Sequence, residues 1–209
     1  MKYIYPDSRI LIFAREPILG KVKTRLEADL GTIRTFDLHC ALITYQVKRV
    51  THKSLAPMEL WVTSNPSHKL FLHLGGRSNT FEQRGNDLGQ RMLNAAESVL
   101  KRSKSVIMIG ADCPSVDSDY LEQALSLLSQ GTDVVIGPAE DGGYVLLGLS
   151  QVWPDLFYDI PWGTGQVMES TLQRLDASDL RYSLLDSRWD VDRPEDVARL
   201  AGLQPPLSY

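Results

Sequence analysis

The side chains best suited to chemistry in this chain collect in one basic segment and three acidic ones. Arg15 to Arg25 (REPILGKVKTR) carries four positive charges and one negative, a local +3 in a chain whose formal net charge is −4. A strip of that kind suits an anion. Lys21, Lys23 and Arg25 can grip a diphosphate through charge-assisted hydrogen bonds, with Arg15 at the start of the strip, Gly20 turning the chain and Thr24 adding a hydroxyl. The segment is not a P-loop, because Arg15 and Val22 stand where that motif needs Gly and Ser or Thr, and no G-x-G-x-x-G exists elsewhere. The competing reading is a solvated basic loop.

Three carboxylate groups can oppose it. Asp112 lies in Gly110-Ala111-Asp112-Cys113-Pro114, just past an apolar run and several residues before any helix that it could cap. Metal coordination would use such a carboxylate, and so would a turn-initiating Asp on nearby backbone N–H groups. Glu140-Asp141-Gly142-Gly143-Tyr144 offers a second pair of acids, which would serve as proton acceptors for a hydroxyl or simply form a hairpin turn at Asp-Gly. The third is Trp189-Asp190-Val191-Asp192-Arg193-Pro194-Glu195-Asp196. Pro194 at the first position of a helix puts the cap on Arg193, so capping does not require Asp190 or Asp192. In an extended segment both point to one side. Two carboxylates held together raise each other's pKa unless a cation sits near them. An ion shared with Asp112 would relieve that repulsion, and an oxygen-only site completed by a substrate diphosphate suits Mg²⁺ or Mn²⁺.

The elements that must carry these residues alternate in the α/β manner. Strands are expected at RILIFA (9–14), MELWVT (58–63), SVIMIG (105–110) and RYSLL (181–185), and DVVIGPA (133–139) with YVLLGL (144–149) reads as an antiparallel hairpin. Ile33, Phe36, Cys40, Ile43, Val47 and Val50 recur at steps of 3 and 4, which predicts a helix with these six on its buried face. Further helices are marked by Leu88, Met92, Ala95 and Val99, by Leu121, Ala124, Leu125 and Leu128, by Met168, Leu172 and Leu175, and by Pro194 to Leu203. Asp87 stands where the second of these would be capped, with a role in recognising base or ribose as the other reading. Trp162 and Thr164 are candidates for the acceptor side, Thr164 also for a cap. The expected architecture is a single domain over 1–209 with a mostly parallel sheet, one antiparallel element and helices on both faces.

Composition narrows the function classes. The 209 residues are 43% hydrophobic and 23% charged, ordinary for a folded chain. The longest apolar run, Ile10 to Ala14, is five residues, and MKYIYPDSR lacks the apolar stretch of a signal peptide, so a cytoplasmic protein without a membrane span is expected. Two cysteines and four histidines without ligand spacing argue against zinc. The net negative charge argues against a general nucleic-acid binder.

Taken together, PILGKVKTRL, RGNDLGQRM, IGADCP, GPAEDGGYVLLGL, IPWGT and DVDRPEDV resemble the GT-A-type nucleotide-diphospho-sugar transferase-like proteins, the family A glycosyltransferases that include those associated with arsenosugar biosynthesis. A more distant resemblance runs to 2-phospho-L-lactate guanylyltransferase and the molybdenum-cofactor guanylyltransferases. The resemblance implies a Rossmann-like GT-A fold, a nucleotide over the first half of the sheet, a divalent ion on the residues matching Asp112 and Asp192, and Gly142, Gly143 and Tyr144 facing the acceptor or sugar. Arg193 stands where many relatives have Thr, which leaves the choice between Asp190 and Asp192 open. The leading expectation is a metal-dependent glycosyl transfer from a nucleotide sugar to a small-molecule acceptor, with Asp141 or Glu140 accepting the acceptor's proton. Its alternatives are nucleotidyl transfer from a nucleoside triphosphate, releasing pyrophosphate, and a non-catalytic nucleotide-binding protein.

Overall fold

Seven strands form one sheet in the order β3-β2-β1-β4-β6-β5-β7 in the computed structural model, which describes residues 2–209. In chain order the elements are β1 (Ser8–Ala14), α1 (Glu27–Leu30), α2 (Thr32–His52), β2 (Met58–Val62), α3 (Lys69–Gly75), β3 (Thr80–Glu82), α4 (Leu88–Leu100), β4 (Ser105–Gly110), α5 (Ser118–Ser129), β5 (Val134–Pro138), β6 (Tyr144–Leu149), α6 (Val167–Asp176), β7 (Tyr182–Leu184) and α7 (Pro194–Arg199). β1 pairs in parallel with β2 and β4, β2 with β3, and β5 with β7, while β6 runs antiparallel to both β4 and β5. The hairpin expected around Asp-Gly is therefore real, and it supplies the sheet's antiparallel strand.

Period-2 alternation sorts β1 between two cores. Ile10, Ile12 and Ala14 pack with Ile43 and Val47 of α2, Phe71 of α3 and Tyr120 of α5, whereas Leu11 packs with Met92 of α4 and Leu175 of α6. Helices thus cover both faces, as expected for a Rossmann-like sheet.

The face of α2 differs from its expected one. Ile33 is 69% exposed and Phe36 only part-buried, while Thr35, Leu38, His39, Leu42 and Gln46 are buried. One flank of the helix packs on the sheet, and the other, with Leu38, Leu42 and Tyr45, packs on Val191, Leu200 and Leu203 from the end of the chain. The buried arc is centred near His39, and the polar residues inside it hid that arc from an apolar count. Three short elements, α1, α3 and β3, had no sequence signal of their own; they are too brief for either period to show.

Strand order reverses between β1, which leads to β2 and β3 on one side, and β4 on the other. In open α/β sheets a ligand crevice lies outside the carboxyl ends of the strands at such a point.

Candidate functional site

A cleft of about 780 Å³ opens there. Its floor is the ends of β1 and β4, and its walls are the loop after β1, the turn between β3 and α4, the β5–β6 turn, the segment before α6 and the residues before α7. Of the residues singled out by type and spacing, Arg15, Lys21, Lys23, Thr24, Arg25, Asp87, Asp112, Asp141, Gly143, Tyr144, Trp162, Thr164, Asp190 and Asp192 line it. Gly20, Glu140 and Gly142 do not.

The loop after β1 is held from below. His39 is buried, and its Nε2 lies 3.1 Å from the carbonyl oxygen of Arg15. Burial depresses the imidazole pKa, which keeps the ring neutral, with Nε2–H donating to that carbonyl. Val22 and Leu26 anchor the loop in apolar surroundings. Between them Lys23 takes the left-handed backbone conformation, φ 50°, and turns inward. Its ammonium donates to Asp112 Oδ2 at 2.6 Å and to the carbonyl oxygen of Val191, with only 7% of the side chain exposed. Burial opposes both charges, but the pair outweighs it: Lys23 is held above the ordinary lysine range and Asp112 below the carboxylate range. Arg25 donates to Asp192. Arg15 and Lys21 form no ion pair among the described residues and remain available to an anion.

The acidic wall is assembled from three loops. The N–H of Val191 donates to the carbonyl of Asp112 at 3.0 Å, which brings residues 189–192 alongside the end of β4. The carboxylate that joins Asp112 is Asp190: burial, then the charges of Asp112 and Asp141, push its pKa from 3.8 up to about 7 against the opposing pull of Lys23. Asp192 lines the same cleft but is tied to Arg25. Asp112, Asp190 and Asp192 thus all line the cleft; Asp190 feels the charge of Asp112 and forms no ion pair among the described residues, whereas Asp192 is paired with Arg25. Arg193 is the cap residue as expected. The cap's reciprocal half comes from Asp196, which accepts the N–H groups of Asp192 and Arg193 at 3.0 and 2.8 Å.

In the hairpin turn, Asp141 accepts the N–H of Gly143 at 3.0 Å through one oxygen and is exposed to the cleft. Glu140 points away: Arg199 of α7 holds it through two bonds of 2.7 and 2.9 Å and depresses its pKa. Gly142 has φ +88°, and a Cβ there would lie 2.3 Å from the carbonyl oxygen of Gly165. The missing side chain lets the turn and the segment before α6 touch, and Gly142 is not among the residues lining the cleft. Tyr144 lines the cleft with its ring, edge-on to Trp162 at 6.0 Å, but its hydroxyl is sealed from solvent.

Asp87 caps α4 as expected, accepting the N–H of Gln90 at 2.8 Å, whereas Thr164 does not cap α6: the cap position is Gln166, and Thr164 accepts its N–H at 3.3 Å in a local turn before the helix. Trp162 rests on Gly89, where a Cβ would meet its indole nitrogen at 2.2 Å. Cys113 also lines the cleft, but burial pushes its thiol well up, which removes it as a thiolate nucleophile. His39 and Gln83 are cleft residues that spacing did not reveal. Gln83 follows β3 among other polar residues and His39 sits in a mixed helix, so neither carried a signal of its own.

No helix is long and apolar enough to cross a membrane. No protein of curated function matches the sequence. Among solved structures, the chain is similar to a "putative nucleotide-diphospho-sugar transferase" from Desulfovibrio desulfuricans G20, with 29% identity, TM-score 0.83, and 90% of this chain and 83% of that one covered. It shares its fold with CMP:2-keto-3-deoxy-manno-octonic acid synthetase in complex with CTP, at 12% identity, TM-score 0.62 and coverage of 95% and 98%. The same holds for 4-diphosphocytidyl-2C-methyl-D-erythritol synthase from Anaerococcus prevotii DSM 20548, at 12%, 0.58, 93% and 94%. These likenesses bear out the GT-A, nucleotidyltransferase-type fold. Residues 46–164, more than half of the chain, match the family of uncharacterized proteins conserved in bacteria (DUF2064), and the chain belongs to that family.

Proposed function

We propose that this chain is a divalent-metal-dependent transferase acting on a nucleotide donor, and that the reaction is glycosyl transfer from a nucleotide-diphospho-sugar to a small-molecule acceptor. The observation that carries the reading is the gathering, in one cleft at the strand-order reversal, of the cations Arg15 and Lys21, unpaired among the described residues, with Asp112, which is paired to Lys23, and Asp190, which is in no ion pair among them. The similarity to the nucleotide-diphospho-sugar transferase described above supports the donor class.

The residues present fit Mg²⁺ or Mn²⁺. Asp190 makes no ion pair, and one lysine serves a wall that holds Asp112, Asp141 and Asp190. Among the described residues no three His, Cys, Asp or Glu side chains group to hold a metal by themselves. Asp112 and Asp190 would therefore supply the protein's share, with donor oxygens and water completing the coordination. A bound divalent ion stabilises the charge that develops on the departing diphosphate. Arg15 and Lys21 would bind the same group, and because charge grows there as the glycosidic bond breaks, they favour the transition state over the ground state. Lys23 holds Asp112 in place. Asp141, with one oxygen bound to Gly143, keeps the other for the proton of an acceptor hydroxyl.

The test is a thermal-shift and product screen of nucleotide sugars and nucleoside triphosphates, with and without Mg²⁺ or Mn²⁺. A donor at 100 times its Kd adds about 2.7 kcal/mol, a rise on the order of 5–10 °C in a chain of this size. The expected product is a nucleoside diphosphate, lost in Asp112→Asn. Pyrophosphate release instead makes the chain a nucleotidyltransferase, and the absence of any metal-enhanced shift refutes both reactions.

A further inference from the structure

We infer that Gln83 sets the base preference of the nucleotide site in favour of a base bearing an exocyclic amino group; this rests on the nucleotide-donor reading above. Gln83 follows β3 and continues its ladder, its N–H bonded to the carbonyl of Val62 at 2.8 Å. It is 7% exposed. Its side-chain nitrogen donates to the carbonyl oxygens of Trp61 at 2.8 Å and Ala14 at 3.4 Å, the last residues but one of β2 and the last of β1 respectively.

An amide nitrogen has two hydrogens, and both are used. Turning the amide over would set its oxygen against two carbonyl oxygens, so the orientation is fixed by the backbone of two neighbouring strands. The remaining atom, Oε1, accepts no hydrogen bond among the described residues, yet it is absent from the buried side-chain atoms that lack partners, such as His39 Nδ1 and Gln46 Oε1. It is therefore not fully sealed, and since Gln83 lines the cleft, Oε1 is taken as the atom that meets a ligand there. A free glutamine adapts to a donor or an acceptor. This one presents an acceptor only.

Its place decides what meets it. The cations and carboxylates that would hold a diphosphate gather at β1 and β4, and the strands β1, β2 and β3 with their helices form the half of the sheet over which a mononucleotide lies in doubly wound folds. Gln83 stands in that half, beside Thr63 and Asn86. Cytosine offers an amino group where uracil offers an oxygen, and guanine adds an amino group that hypoxanthine lacks. A buried acceptor facing a ligand oxygen leaves both unpaired, which is how polar sites reject near-isosteres.

The experiment measures binding of CDP against UDP and of GDP against IDP, by calorimetry on the full chain with Mg²⁺. In at least one pair the amino-bearing member is expected to bind about tenfold more tightly or better, and Gln83→Met to shrink that ratio to within about threefold. Should the variant not fold, the wild-type ratios alone decide. Ratios near one in both pairs, with binding intact, overturn the inference and leave the donor reading standing; ratios that survive in Gln83→Met also overturn it. If none of the four nucleotides binds, and ADP and dTDP do not bind either, the donor reading fails and takes this with it; binding of ADP or dTDP alone overturns only the inference if Gln83→Met leaves it unchanged.

Discussion

Replacing Asp190 by Asn separates the chemistry of the acidic wall from its cost in stability. Burial and the charges of Asp112 and Asp141 raise this carboxyl from 3.8 to about 7. A shift of about three units corresponds to roughly 4 kcal/mol; partial solvent access reduces the usable figure to about 2 kcal/mol. The sign follows from proton counting. Between about pH 4 and 7 the folded chain keeps a proton that the unfolded chain has released, so the folded state loses stability as pH rises through that window and stays penalised above it. Asn removes the penalty. Without metal, Asp190→Asn is expected to melt about 4–8 °C above the wild type at pH 8.5 and to converge on it toward pH 4. Adding Mg²⁺ or Mn²⁺ is expected to close the gap from the wild-type side, because in the proposed site the ionised Asp190 would join Asp112 in holding the ion and Asn would not. Differential scanning fluorimetry in a chelating buffer, then with the metal, reads all three. A variant no more stable than wild type at pH 8.5, or one whose gain is the same at every pH, would refute the account of Asp190 as a repelled carboxylate.

Arg102→Ala leaves Glu59, 4% exposed, with its bonds from Trp61 but without the two guanidinium bonds of 2.6 and 2.9 Å; urea unfolding should show a loss of about 2–3 kcal/mol with donor binding unchanged. Gly142→Ala combines φ +88° with a 2.3 Å approach to Gly165, and is expected to lower Tm by several degrees and to weaken turnover more than donor binding, since Asp141 rides on that turn. Glu140→Gln cuts an exposed pair to Arg199 outside the cleft, so activity should stay within about twofold and Tm within about 1 °C; a large loss of turnover would place Glu140 in the chemistry after all.

How far the sequence reached follows from which signals were local. β1 and β4 were legible as short β-branched apolar runs, the hairpin because two such runs flank Asp-Gly, and α4 because Asp87 caps it. The face of α2 was not, because part of what buries it arrives about 150 residues later in Val191, Leu200 and Leu203. The same distance hid how residues 189–192 reach the cleft: period-2 logic places Asp190 and Asp192 on one side but cannot say that Val191 is bonded to Asp112 or that Asp192 is paired with Arg25. Lys23 could be named as a cation near an anion site. That its partner is Asp112 depends on the left-handed backbone of Lys23 itself, set between Val22 and Leu26 as they sink into apolar contacts, which spacing does not reveal. Gln83 reads as one more polar residue in a loop until two strand-end carbonyls are seen to take its amide hydrogens.

The clasp at Val191, which receives Lys23 through its carbonyl and reaches Asp112 through its N–H, has a consequence for the order in which the molecule is made. Synthesis runs from residue 1 upward, so β1, its basic loop and β4 leave the ribosome while the segment that fastens them is still inside. A nascent chain arrested near residue 180 would hold Lys23 and Asp112 without their third tether. The candidate site of this protein is buckled last.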